Sequence, residues 1–116
     1  MSRRDTRPLL RDMRDYANVA LSFVQGKARA DLDTDRMLQL ALVRALEIIG
    51  EAASQIPREA QARHPGIPWP NIISLRNRLV HGYASVDLDI LWQIIVHDLP
   101  PLISELEAVL HSYDQP

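Results

Sequence analysis

The feature that most limits how this chain can fold is the apolar spacing of residues 35–56. Leu38, Ala41, Leu42, Ala45, Ile49, Ala52, Ala53 and Ile56 recur three and four residues apart, with Leu46 and Ile48 at the margins. That spacing predicts one long helix, from about Asp35 to Ile56, with a wide buried face. Its many alanines let other helices come close, so it is expected to be the central one. Arg44, Glu47, Glu51 and Ser54 share a ridge on its other side. That ridge is either a solvated surface or the place where a glutamate neutralises or orients an active-site arginine.

The rest of the chain also reads as helical. Leu9, Leu10, Met13, Ala17, Ala20, Leu21 and Val24 predict a first amphipathic helix over residues 7–25, stopped by Gly26. Val19 and Phe23 lie at the edge of its stripe, either as an ordinary margin or as an oligomer contact. K-A-R-A-D-L-D at 27–33 is a polar connection, with Asp33 or Thr34 as the cap of the next helix. Pro57 ends the long helix, and Pro65, Pro68 and Pro70 crowd the segment after it. R-E-A-Q-A-R-H can form a short turn there, P-G-I-P-W-P is irregular, and Trp69 is expected to anchor the segment on the bundle. A third helix is expected over Pro70 to His81. Asp87 caps a last helical region, which Pro100 and Pro101 break or kink near Asp98. No β-type alternation is present. The expected fold is all-α, an antiparallel bundle of four main helices in one domain spanning 1–116.

Composition narrows the function. Apolar residues make up 47% of the 116, yet there are only one phenylalanine, two tryptophans and three tyrosines, so the core is aliphatic. Cysteine is absent, which excludes disulfides, thiolate metal sites and cysteine nucleophiles, and fits a cytoplasmic setting. No secretion signal or membrane span is expected. The net charge is −2, so nucleic-acid binding would need a local basic patch. Residues 57–86 supply one, with Arg58, Arg63, Arg76 and Arg78, besides His64 and His81, against the single acid Glu59. Arg63 and Arg78 are the residues of this patch expected to contact nucleic acid.

The remaining chemistry converges on R-N-R-L-V-H-G-Y at 76–83. The histidines, His64, His81, His97 and His111, lack metal-ligand spacing, so no metal is expected, nor any cofactor. Ser74 has no nucleophile elbow around it, and there is no phosphate-binding glycine loop. Arginine offers a permanent planar fork for phosphate, and histidine can exchange a proton near neutral pH. Arg76 and His81 could therefore cleave RNA without metal. On one continuous helix Arg76 would sit in the middle of the apolar side formed by Ile72, Ile73, Leu75, Leu79 and Val80. His81 would fall about 140° away. Either the helix ends before His81 and turns it back, or two chains share the site. The plainer alternative is a buried structural arginine and a histidine that satisfies helix-end carbonyls.

R-N-R-L-V-H-G-Y resembles the signature of HEPN domains, an arginine and a histidine separated by four to six residues. Its H-x-Y ending is similar to the HepT-like branch, the toxin half of a toxin–antitoxin pair. R-A-L-E-I-I-G-E-A-A at 44–53, I-P-W at 67–69 and D-L-P at 98–100 agree with it, so the resemblance spans roughly residues 7–112. It implies an all-helical HEPN-type homodimer with a composite cleft and metal-independent endoribonuclease activity. Arg76 and His81 match the catalytic pair, and Asn77 the polar residue beside the arginine. Tyr83 matches the tyrosine to which an MNT-type nucleotidyltransferase antitoxin adds AMP. Glu51 is a supporting residue of open role. The rival expectation keeps the fold but not the catalysis. It is a helical nucleotide- or RNA-binding subunit that presents substrate to a nucleotidyltransferase.

Overall fold

The structure, a computed structural model, describes residues 5–81 and 85–114, apart from the side chains of Val80 and His81. Helix α1 (Arg7–Phe23) and helix α3 (Arg36–Ser54) form the most extensive pair, and α8 (Leu99–Tyr113) packs on α1 from the other side. The stripes read from the sequence are the buried ones. Met13, Ala17 and Ala20 of α1 meet Leu42, Ala45 and Ile49 of α3 in the core. Leu91, Ile94, Leu99 and Leu106 close it from the C-terminal region. Among the described residues the fold is all-α apart from one short β-ladder, as the periodicity requires.

Gly26 adopts φ 73°, the left-handed turn expected of a helix stop. The connection after it differs from expectation. It contains a single helical turn, α2 (Asp31–Thr34), and the cap of α3 is Asp35, not Asp33 or Thr34. Asp35 Oδ1 accepts from the Leu38 amide at 2.9 Å, which an extended backbone at Asp35 allows. Asp87 plays the same part for α7 (Leu88–Gln93), accepting from Ile90 N at 3.0 Å.

The third helix is not continuous. It splits into α5 (Trp69–Ile73) and α6 (Leu75–Leu79) at Ser74. Ser74 has φ −93° and ψ 10°, outside helical values, and its hydroxyl donates to the Pro70 carbonyl at 2.8 Å. A helical wheel therefore cannot be carried across this point. On α6 the buried residues are Leu75 and Leu79, four apart, while Arg76, Asn77 and Arg78 face solvent. The placement of Arg76 on a buried face is thus corrected.

The helix also ends two residues before His81. Val80–His81 forms β1, antiparallel to β2 (Ser85–Val86), with Val80 opposite Val86 and His81 opposite Ser85. The Asp87 amide closes the ladder on the Leu79 carbonyl at 3.0 Å. Strands of two residues are too short to show alternation in sequence. Gly82, expected to stop the helix, lies outside the described residues.

Near Asp98 the prolines act as expected, by deforming the helix without ending it. Pro100 and Pro101 have no N–H for the carbonyls of Val96 and His97. Residues Ile94–Asp98 widen into a π turn, in which Leu99 N bonds to Ile94 O, five residues back.

The proline-rich segment is pinned as predicted. Trp69 is buried, and its indole N–H donates to the carbonyls of Gln61 at 3.0 Å and His64 at 3.1 Å. His64 is half-buried against the Tyr113 ring, and its Nε2 has no hydrogen-bond partner among the described residues. Burial, helped by the charge of Arg63, holds this imidazole below the ordinary histidine value of 6.5. The unfolded chain therefore binds a proton that the folded chain resists. This contribution is complete above pH 6.5 and is lost as pH falls toward the depressed folded value. His64→Phe is expected to flatten that fall. Thermal melts of parent and variant between pH 7 and 5 would reveal it, and parallel curves would refute it.

Candidate active site

Arg76 is set by two helices. Gly50 lies in the buried part of α3, and a Cβ there would stand 3.0 Å from the Ile72 carbonyl of α5. The missing side chain lets the end of α5 come down on α3. Ser74 then redirects the chain, and Arg76 emerges over the α3 ridge. Its Nε stands 3.5 Å from Glu47 Oε2. The Arg76 side chain is 71% exposed and that of Glu47 32%, so the pair contributes about 0–1 kcal/mol to stability at most. Its significance is one of direction. Contact through Nε leaves the two terminal nitrogens of the guanidinium available.

A cavity of about 260 Å³ lies at this junction. Arg44, Glu47, Gly50, Glu51, Ser54, Ile73 and Arg76 line it, together with Leu46. The ridge read as either solvated or functional is therefore the wall of a hollow that contains the arginine. Glu51 lines the hollow, but Glu47 is the acid that meets Arg76. The signal for Glu47 was its place one turn before Gly50 on α3. It became legible only once α5 was seen to dock there.

The other expected residues divide. Asn77 is exposed next to Arg76. Arg78 leaves the opposite side of α6, where its Nη2 stands 3.7 Å from Asp98 Oδ2. Arg63 is exposed just beyond α4 (Arg58–Ala62) and does not line the Arg76 cavity. The backbone of His81 is in β1, and its side chain lies outside the described residues, as does the whole of Tyr83. His97, on the π turn, and His111, on α8, are exposed, as expected of surface histidines. Among the described residues no three His, Asp or Glu side chains gather in a way that could hold a metal ion. No helix among them is long and apolar enough to cross a membrane.

With this geometry in view, comparison with known proteins is informative. The family model described as "Ribonuclease HepT-like" matches residues 13–109, which include the whole of α3, the cavity and the 76–83 segment. The chain belongs to the HepT-like family. Among curated relatives of this HepT-like chain is "Putative RNase MJ1380" of Methanocaldococcus jannaschii, 36% identical over 109 residues, covering 94% of this chain and 100% of that one. "Probable ribonuclease HepT" of Thermococcus cleftensis is 34% identical over 107 residues, covering 92% and 97%. "Putative RNase TTE0752" of Caldanaerobacter subterraneus subsp. tengcongensis is 34% identical over 106 residues, covering 91% and 95%. No solved structure matches the chain.

Proposed function

We propose that this HepT-like protein is a metal-independent endoribonuclease, the toxin of a toxin–antitoxin pair, working as a homodimer in the cytoplasm. The observation that carries this reading is the placement of Arg76. It is a solvent-facing guanidinium held by one edge, at the mouth of a hollow, on a helix that stops before His81. The family membership and the ribonuclease names of the relatives agree with it.

In the proposed reaction His81 of one subunit takes the proton of a ribose 2′-hydroxyl. The 2′-oxygen bonds to phosphorus, and the bond from phosphorus to the 5′-oxygen breaks. His81 of the second subunit protonates that leaving oxygen. Arg76 stabilises the charge that builds on the non-bridging oxygens. The products are a 2′,3′-cyclic phosphate and a 5′-hydroxyl. Asn77 and Glu51 support the centre, and Arg78 and Arg63 hold flanking RNA phosphates. Cleavage of single-stranded RNA by the purified protein in EDTA tests the reading. An inactive, unmodified protein would overturn it.

The dimer gains support from the same ridge of α3. Met37 and Leu40 continue the line of Arg44, Glu47 and Glu51 toward the N-terminus of the helix. They are 82% and 60% exposed, and Tyr16, Val19 and Phe23 are exposed on the neighbouring α1. Such an apolar surface, continuous with the site, suits burial against a second copy. Leu40→Glu is expected to give a monomer by light scattering and to lose RNA cleavage. A dimer that persists and cuts RNA would place the interface elsewhere.

A further inference from the structure

A second hollow lies on the far side of α6 from the Arg76 cavity. It holds about 410 Å³, within the range of roughly 300–1,000 Å³ usual for small-ligand sites. Its floor is aliphatic, formed by Ile72 and Leu75 from α5–α6 and by Ile94, Leu99 and Leu102 from the other wall. Its rim carries Asn71, Arg78, His97 and Asp98, all exposed. The amide and the carboxylate offer both donor and acceptor positions, the imidazole a further polar edge, and the arginine positive charge for a phosphate.

We propose that this hollow receives one unpaired nucleobase of the RNA substrate. The inference rests on the ribonuclease reading and adds to it how the strand is recognised. An apolar floor accepts the face of a base, and polar rim groups take its edge. Arg76 and Arg78 leave α6 on opposite sides, one toward Glu47 and the other toward Asp98. A helix is about 10–12 Å across with its side chains. A strand that passes over α6 from a phosphate at Arg76 to a base beside Arg78 must span at least that width, on the order of two to four nucleotides. The strand crosses α6, and Arg78, released from its long 3.7 Å contact with Asp98, meets the phosphate next to the captured base. A base held in a duplex cannot enter, so the hollow selects single strands.

The test uses the full chain and a single-stranded RNA with one cleavage position. A series of otherwise identical RNAs carries one abasic nucleotide at each position from four before the cut to four after it. One position, two to four nucleotides from the cut, is expected to lower kcat/KM at least tenfold. Asn71→Trp or His97→Trp, each filling the hollow from an opposite wall, lowers cleavage of the intact RNA to that same level. The abasic nucleotide then causes no further loss. Equal cleavage of the whole series, or losses that multiply with the Trp variants, would overturn the proposal while leaving the ribonuclease reading intact. If the parent cuts none of the RNAs, that reading fails instead. The hollow is then tested by NMR titration with AMP, CMP, GMP and UMP. Shifts confined to Asn71, Arg78, His97 and Asp98 support it, and their absence overturns it.

Discussion

His81→Ala is expected to lower RNA cleavage by about 10²–10⁴-fold, the range for loss of a positioned proton-transfer group. Arg76→Ala is expected to lower it by about 10²–10³-fold, through loss of charge stabilisation at phosphorus. The double variant falls little further, because two groups serving one step do not act additively. The loss at Arg76 is not expected to come from unfolding. Arg76 is exposed and its contact with Glu47 contributes at most about 1 kcal/mol, so its melting temperature should stay within a few degrees of the parent's. Single-turnover cleavage and thermal melts on the same preparations check both halves. Variants that cut RNA at the parent's rate would remove Arg76 and His81 from the reaction.

Addition of AMP to Tyr83 is expected to silence the protein by about 100-fold or more. This exceeds the effect of losing one phosphate contact, since the group both fills space and repels RNA. In the transfer, the tyrosine oxygen bonds to the α-phosphorus of ATP, the α–β anhydride breaks, and pyrophosphate leaves. Tyr83 is two residues beyond His81 in the chain, a spacing that tethers the added nucleotide to the residue proposed to transfer the proton. Tyr83→Phe should cut RNA yet escape silencing when incubated with an MNT-type nucleotidyltransferase and ATP. Intact-mass measurement should find one added AMP on the parent and none on the variant. Equal silencing of both proteins would mean that the partner inhibits by another route.

How far the sequence was legible depended on length. Long periodic stretches were unambiguous, since α1 and α3 repeat the same buried face over several turns and one residue cannot shift it. The third helix was misread because a helical wheel assumes one axis. The hydroxyl of Ser74 and the docking of α5 at Gly50 both act against that assumption, and the second is a tertiary contact that no local pattern contains. This single error put Arg76 on the wrong side. The motif itself was readable without the fold, because its residue types carry the chemistry. The choice between Glu47 and Glu51 was not readable. Both sit on one ridge, and only the path of α6 separates them.

The segment that bears Arg76 buries only Leu75 and Leu79 among its described residues, adds surface ion pairs to Glu47 and Asp98, and is followed by a ladder of two residue pairs. Such a short hairpin has little stability of its own. The frame of α1, α3 and α8 holds much more of the buried core than this segment does. Division of the molecule into a well-packed frame and a lightly tied working arm means that the modification proposed at Tyr83 need not tax the frame. It also means that substitutions in the arm can retune catalysis with little effect on folding.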